Sequence, residues 1–337
     1  MSKTILLGHG SGGKMSHELI TELFVKHFSN PVLQKQTDSA LLQLKKEDIA
    51  FTTDSYVVDP IFFSGGNIGD LAICGTVNDL AVSGAIPLYI SVSFIIEEGF
   101  QYNELEEIVV SMTYKAKEAN VLIVTGDTKV VNRGKCDKIF ITTSGIGALD
   151  KKYIPISIGE DIEIGDQIII NGTIADHGMA IMGAREGINF ESDIQSDSAP
   201  LNHMIQEALA HSNGVKFMRD VTRGGLATVL SEINKGKSFG IDIQEDKIPM
   251  NENVTGMCEL LGFDPMFVAN EGKVLLIVKK EDTDHILKTI RKNKYGKQAE
   301  IIGEVVSEHH GKAILKTQIG GSRIIDMLAG EQLPRIC

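Results

Sequence analysis

The chain has 337 residues, 42% of them hydrophobic and 23% charged, and 33 Lys and Arg against 45 Asp and Glu leave a net charge of −12. That apolar fraction can build real cores and excludes disorder as the dominant state. The acidic balance argues against a nucleic-acid or anionic-membrane partner, each of which wants a basic face. At about 100–200 residues per domain, the length favours two domains.

The stretch Thr4-Ile5-Leu6-Leu7 is cut off by Gly8, too soon for the apolar part of a secretory signal. No apolar run nears the ~18–20 residues of a spanning helix. A cytoplasmic protein with no membrane partner is expected. Next comes Gly8-His9-Gly10-Ser11-Gly12-Gly13-Lys14-Met15, which nearly spells G-x-x-x-x-G-K-[ST]. It ends on Met15, which has no hydroxyl for Mg²⁺. Serial glycines still let backbone N–H groups approach a phosphate, with Lys14 adding a charge. A phosphate-covering loop outside P-loop topology is preferred to a flexible tail or a true P-loop.

Strands are predicted over 49–53, 121–124, 139–143, 167–170, 274–278 and 313–317, where β-branched and aliphatic residues cluster between Gly, Asn and Asp. Helices are predicted around Ile73, Val77, Leu80 and Ala81, and around Leu105, Ile108, Val109, Met112 and Ala116. Two more follow, at Leu226, Val229, Leu230 and Ile233 and at Val254, Met257, Cys258 and Leu261, all spaced for one buried face. The segment 150–165 reads as a connector between halves. Strands and helices do not alternate regularly enough to demand a doubly wound sheet, so the fold class is mixed α+β.

Carboxylates recur beside small residues: Thr37-Asp38-Ser39, Thr53-Asp54-Ser55, Asn78-Asp79, Gly126-Asp127-Thr128 and Arg219-Asp220-Val221. Singly, such an Asp is more often a turn former or helix cap. Five of them beside a Gly-rich loop point instead to Mg²⁺, a hard ion that shares oxygen ligands with a substrate's phosphates. Gly126-Asp127-Thr128-Lys129 is expected as a loop leaving the strand 121–124. The run Arg219 to Leu226 is expected to open a helix whose free N–H groups suit an anion, or are simply capped by Asp220 or Thr222.

Four cysteines show no CxxC pair, so neither a disulfide framework nor a zinc site is suggested. Cys74 and Cys258 fall within apolar helical patterns and read as inert core residues, and Cys136 in its charged turn as incidental. Cys337 ends the chain after Gly330 and Pro334, in a stretch expected to be mobile. Residue type leaves it open between an accidental terminal thiol and a carried nucleophile.

Together, His9 to Lys14, Thr52-Thr53-Asp54-Ser55, Gly65-Gly66-Asn67-Ile68-Gly69 and Asn78-Asp79-Leu80-Ala81 resemble the ATP-binding superfamily of aminoimidazole ribonucleotide synthetase and selenophosphate synthetase. Gly126 to Lys129, Asp176-His177-Gly178 and Asp220 to Gly225 continue the resemblance across essentially the whole chain. The closing Pro334-Arg335-Ile336-Cys337 is similar to the signature of the HypE family of hydrogenase maturation proteins. The resemblance implies an N-terminal ATP-binding and dimerisation domain over 1–155, a C-terminal α/β domain over 156–328 and a flexible tail over 329–337. It also implies a homodimer joined through N-domain strands.

By the same resemblance, the Cys337 thiol would receive a carbamoyl group from HypF. ATP would dehydrate that S-carboxamide to a thiocyanate, and cyanide would pass to iron on a HypC–HypD complex. Metal binding would fall to Asp38, Asp54, Asp79, Asp127 and Asp220. Gly10, Gly12, Gly13, Lys14, Asn78, Thr128, Lys129 and Thr222 would hold the nucleotide, and Lys14 and Lys129 would neutralise its phosphates. Glu271 is the expected base, with His9 and His177 as rivals, and Cys337, Lys129 and His9 complete the expected catalytic set. The alternatives are another small-molecule synthetase or kinase of the superfamily, in which Cys337 is irrelevant, and a non-catalytic thiol carrier.

Overall fold

The computed structural model describes residues 4–10, 14–35, 40, 42, 48–185, 194–327, 333 and 335–337. Its first layer is a four-stranded sheet of β1 (Asp48–Tyr56), β4 (Ile86–Glu97), β5 (Leu122–Val131) and β6 (Ile139–Leu149), in the order β1-β6-β4-β5. A two-residue hairpin, β2 (Phe62–Phe63) with β3 (Gly66–Asn67), follows β1 and leads into α3 (Ile68–Val82). β4 and β5 are parallel, and α4 (Tyr102–Ala119) supplies the crossover that parallel pairing requires. α3 starts on a capping box, the Asn67 side chain taking the Gly69 and Asp70 N–H groups while Asp70 takes that of Asn67.

Helices α3 and α4 cover one face of this sheet, where Ile90, Val92, Phe94 and Ile96 are buried. The other face is open. Phe51 on β1 is 66% exposed and registers with Ile146, which registers with Tyr89 of β4. Before the sheet, α1 (Lys14–Leu19), a π-helical turn Ile20–Val25 and α2 (Lys26–Phe28) pack inward through Leu19, Leu23 and Phe24, with Phe24 stacked on Phe94 at 4.9 Å.

After α5 (Ile154–Ile158) comes a seven-stranded sheet in the order β13-β12-β9-β11-β7-β10-β8. Its strands are β7 (Gln167–Ile170), β8 (Val215–Asp220), β9 (Gly240–Gln244), β10 (Val274–Val278), β11 (Glu300–Val306), β12 (Ala313–Lys316) and β13 (Ser322–Ile325). Both faces of its centre are buried: Leu275 and Ile277 join one cluster while Val274, Leu276 and Val278 join another. Hence the unbroken aliphatic runs at 168–170 and 274–278. The helices are α6 (Asp176–Arg185), α7 (Asn202–His211), α8 (Gly225–Asn234), α9 (Glu252–Leu261) and α10 (Thr283–Lys292).

The mixed α+β class and the four predicted helices agree with this architecture. Strands β4, β8, β9, β11 and β13 and helices α6, α7 and α10 were not among the sequence expectations. One expectation is corrected: Gly126-Asp127-Thr128-Lys129 is not a loop but the middle of β5, paired with Val92 to Ile95 of β4. Gly126 makes that pairing possible, because a Cβ there would lie 2.2 Å from the Val92 carbonyl oxygen. Asp54 lies within β1 and Asp79 within α3. Among the described residues, the segment ahead of the Gly-rich motif makes an isolated bridge, Thr4 to Gln101, and no strand.

Candidate active site

Period-two alternation turns Thr52, Asp54 and Tyr56 of β1 toward α3, opposite to Phe51. There the Thr52 hydroxyl donates to the Asp79 carboxylate at 2.7 Å, and the Tyr56 hydroxyl to Asp54 at 3.4 Å. Asp220, at the end of β8, and Glu271, in the loop before β10, complete an acidic group. Burial, then Asp220 and Asp54, push the Asp79 carboxyl up to about 7. Burial also raises Asp220, whose carboxylate is hydrogen-bonded by Thr222. Glu271 is raised as well, by burial first and then by Asp197, Asp220, Asp54 and Asp79. The residue is 3% exposed and its Oε1 has no hydrogen-bond partner among the described residues.

The loop carrying Glu271 is clamped from below. Asp197 accepts the N–H of Glu271 at 3.0 Å and of Gly272 at 3.3 Å, and pairs with Lys273 at 2.8 Å in a bridge whose side chains are 7% and 9% exposed. Burial pushes the Asp197 carboxyl up, but Lys273 and the backbone N–H groups outweigh it and hold it below the usual carboxylate range. From the other side Asn78 donates to the Glu271 carbonyl at 3.2 Å and that of Ala199 at 3.0 Å, and accepts from the Leu201 N–H at 2.8 Å. Expected to hold the nucleotide, Asn78 instead spends its amide tying α3 to the Glu271 loop.

The C-terminal residues lie beside this group. The main-chain oxygen of Cys337 accepts the Val57 N–H at 3.0 Å, one residue beyond Tyr56, and Arg335 donates to the Val57 carbonyl at 2.9 Å and to Asp137 at 2.6 Å. Ile336 is 3% exposed, a burial worth about 2–3 kcal/mol. The half-buried Cys337 packs against the same core cluster. His177 binds the Ile336 carbonyl through Nε2 and Ser196 Oγ through Nδ1, both at 2.8 Å, so neither nitrogen is left to act as the rival base. An end expected to be mobile is thus seated at its last three residues.

His9, the other rival, is also buried, with Nδ1 3.0 Å from the Leu6 N–H. It lines a cavity of about 200 Å³ between the N-terminal helices and β5, together with Asp127, Thr128 and Lys129. Asp127 and Lys129 pair with each other at 2.9 Å and register with Ser93 and Ile95 on the sheet's open face. β1 and β5 are the two edges of the sheet, three strand spacings or about 14 Å apart. The structure therefore divides the expected metal set: Asp54, Asp79 and Asp220 converge with Glu271, and Asp127 stands apart with Lys129.

Among the described residues no group of three His, Cys, Asp or Glu forms a metal site by itself. Hard oxygens that raise one another's proton affinity are nonetheless the donors Mg²⁺ takes when phosphates complete its shell. Asp38, Gly12 and Gly13 lie outside the described residues, as does the side chain of Lys14, whose backbone begins α1. Gly10 closes a 3-10 turn, Leu7–Gly10. Thr222 sits at the acidic group, and α8 starts after Gly224 without a side-chain cap, so neither Asp220 nor Thr222 caps it. Cys74 and Cys258 are inert, their thiols pushed up to about 12 and about 11 by burial.

Sequence reasoning missed Tyr56, Asp197, Lys273 and Arg185. Tyr56 lies two residues from Asp54, a spacing that puts both on one face of β1, and Lys273 lies two residues from Glu271 in its loop. Asp197 carried no local signal.

These features define an AIR synthase related protein: its N-terminal domain family matches residues 36–149 and its C-terminal domain family residues 163–316. The carbamoyl dehydratase HypE of Bradyrhizobium diazoefficiens is 47% identical over 98% of this chain and 95% of its own. A crystal structure described as hydrogenase maturation protein HypE in complex with ATP superposes with a TM-score of 0.94 at 45% identity, covering 99% of this chain and 100% of that one. A HypE–HypF complex structure matches with a TM-score of 0.79 at 47% identity, over 92% and 99% of the two chains. The chain belongs to the HypE family of carbamoyl dehydratases. No described helix is long and apolar enough to cross a membrane.

Proposed function

We propose that the chain dehydrates a carbamoyl group carried on its own Cys337, using ATP, and so makes the thiocyanate that donates cyanide to the iron of a [NiFe]-hydrogenase. The observation that carries this reading is the docking of Cys337 against Val57, beside Tyr56 and the acidic group around Glu271. A free-substrate synthetase or kinase has no use for a seated terminal thiol.

ATP bound with Mg²⁺ supplies the phosphoryl group that turns the carboxamide oxygen, a poor leaving group, into phosphate. Asp54, Asp79 and Asp220 would hold the metal against the phosphates, with Thr222 steadying Asp220. Lys129 and Lys14 would neutralise phosphate charge beside Gly10, Gly12, Gly13 and Thr128. Two protons leave the nitrogen, the first to solvent as the oxygen is phosphorylated and ADP departs, and the second to the Glu271 carboxylate as phosphate departs. As the second leaves, its electron pair completes C≡N and the C–O bond breaks. Burial of Ile336 and Leu333 keeps water from the activated group.

Lys129 and Asp127 stand an edge away from Glu271, which supports a homodimer in which one protomer offers them to the site of its partner. The exposed Ile49, Phe51 and Ile95 of the sheet support the same pairing. HypF is the proposed carbamoyl donor and a HypC–HypD complex the cyanide acceptor, in the cytoplasm. The proposed division is 1–155, 156–328 and a tail over 329–337. The test is Cys337→Ala supplied with HypF, carbamoyl phosphate and ATP. ADP formation above background should vanish; turnover retained would point to a free substrate, and acylation of wild-type Cys337 without ADP formation to a mere carrier.

A further inference from the structure

The motif Asp176-His177-Gly178 opens α6, yet the chemistry assigned to the acidic group does not use it. Its neighbours explain why it is there. His177 and Arg185 lie eight residues apart with the buried Ile181 between them, on one stripe of α6. That stripe meets the C-terminal residues. His177 Nε2 reaches the Ile336 carbonyl at 2.8 Å, and Arg185 bonds the carbonyls of Arg335 and Asp59. A Cβ on Gly178 would come within 3.2 Å of the Leu333 side chain and 2.3 Å of Val268, so only glycine lets these chains approach the helix there.

The Nε2 and Arg185 contacts are to main-chain carbonyls, and the first assigns the Nε2 hydrogen. A carbonyl only accepts, so Nε2 carries the hydrogen. Ser196 Oγ, which accepts the Ser198 N–H at 3.2 Å, donates its own proton to Nδ1 at 2.8 Å. The ring is edge-on to Phe63 at 5.6 Å and wholly buried. Burial lowers its proton affinity, Arg185 adds to this and Asp197 opposes it.

We propose that α6 is the bed of the C-terminal tail and that His177 is a positioning residue, its neutral Nε2–H holding the Ile336 carbonyl so that Cys337 faces the site. This deepens the proposed function, since positioning matters only if Cys337 carries the reacting group. The grip is on backbone and can be released without unmaking the tail's sequence, as a thiol that must be loaded elsewhere requires.

The test compares wild type, His177→Ala and His177→Gln, the last placing an amide N–H where Nε2–H stood. Cys337 alkylation by iodoacetamide, followed by the mass of the C-terminal peptide, reads how often the tail is out. His177→Ala should alkylate about tenfold faster, the scale of one buried hydrogen bond, and His177→Gln should stay near the wild-type rate. With HypF, carbamoyl phosphate and ATP, the alanine variant should still accept the carbamoyl group but dehydrate it about tenfold more slowly, with rescue by glutamine. Alkylation of His177→Ala no faster than wild type, or His177→Gln no better than alanine, overturns the proposal. Should no variant and no wild type dehydrate, the function is wrong while the alkylation rates still judge the latch. In the unaltered protein labelled with ¹⁵N-histidine, His177 should show a slowly exchanging Nε2 proton, and an Nδ1–H tautomer would contradict the proposal whatever the variants do.

Discussion

Replacing Lys273 by Met removes the one cation from a bridge that is almost sealed from water, its side chains 9% and 7% exposed at 2.8 Å. An exposed pair would cost about 0–1 kcal/mol to break. Here the Asp197 carboxylate is left buried with only the Glu271 and Gly272 N–H groups as partners, and breaking such a pair costs about 3–5 kcal/mol. At about 2–3 °C per kcal/mol for a chain of this size, Tm should fall by about 6–15 °C. The sign with pH is also fixed. Burial raises the Asp197 carboxyl, but Lys273 and the other partners hold it below its ordinary value. The stability it confers is therefore complete above the unfolded carboxylate range and lost as pH falls through its lowered value. The gap between wild type and variant should narrow on acidification. Differential scanning calorimetry over a pH series measures both, and the double variant Asp197→Asn/Lys273→Met should recover part of the loss. A drop below about 3 °C at neutral pH, independent of acidification, would refute the claim that the pair is desolvated.

Glu271→Gln should leave carbamoylation intact and slow dehydration by about 10²–10⁴-fold, read by single-turnover quench and peptide mass. Dehydration in wild type should rise with pH through a value above the ordinary glutamate range, because burial and then the Asp197, Asp220, Asp54 and Asp79 charges favour the inactive protonated acid. The same raised value makes Glu271 stabilising at low pH and progressively less so as pH climbs through it, a trend Glu271→Gln should remove from the melting profile. Gly126→Ala forces a methyl against the Val92 carbonyl and should cost about 1–3 kcal/mol in urea unfolding. Phe51→Arg puts a charge on the open face of the sheet and should give a monomer by sedimentation together with lost turnover, and a dimer of unchanged strength would exclude that face as the interface.

Legibility in the sequence followed burial. Strands β7 and β10 were readable to the residue because both their faces are covered, so Ile168 to Ile170 and Val274 to Val278 are all aliphatic. β5 was cut short at Val124 because Gly, Asp and Lys are poor strand formers, and it continues only as an edge strand whose Gly126 admits the neighbouring carbonyl. β1 was likewise cut at Thr53, its alternation passing through Asp54 to Tyr56. The acidic residues were readable one by one, but their division into two groups depends on strand order, which places Asp54 and Asp127 on opposite edges. Asp197 and Lys273 could not be paired in advance, because their contact joins a segment without regular structure to a loop 76 residues on.

The most direct measurement is the intact mass of the C-terminal peptide alongside ADP, in one reaction of this chain with active HypF, carbamoyl phosphate and ATP. Expected is the appearance of a carbamoyl group on Cys337, followed by loss of one water from that same peptide with one ADP released per water lost. A Cys337 peptide that stays unmodified, or carries the carbamoyl group unchanged while ADP accumulates, would contradict it.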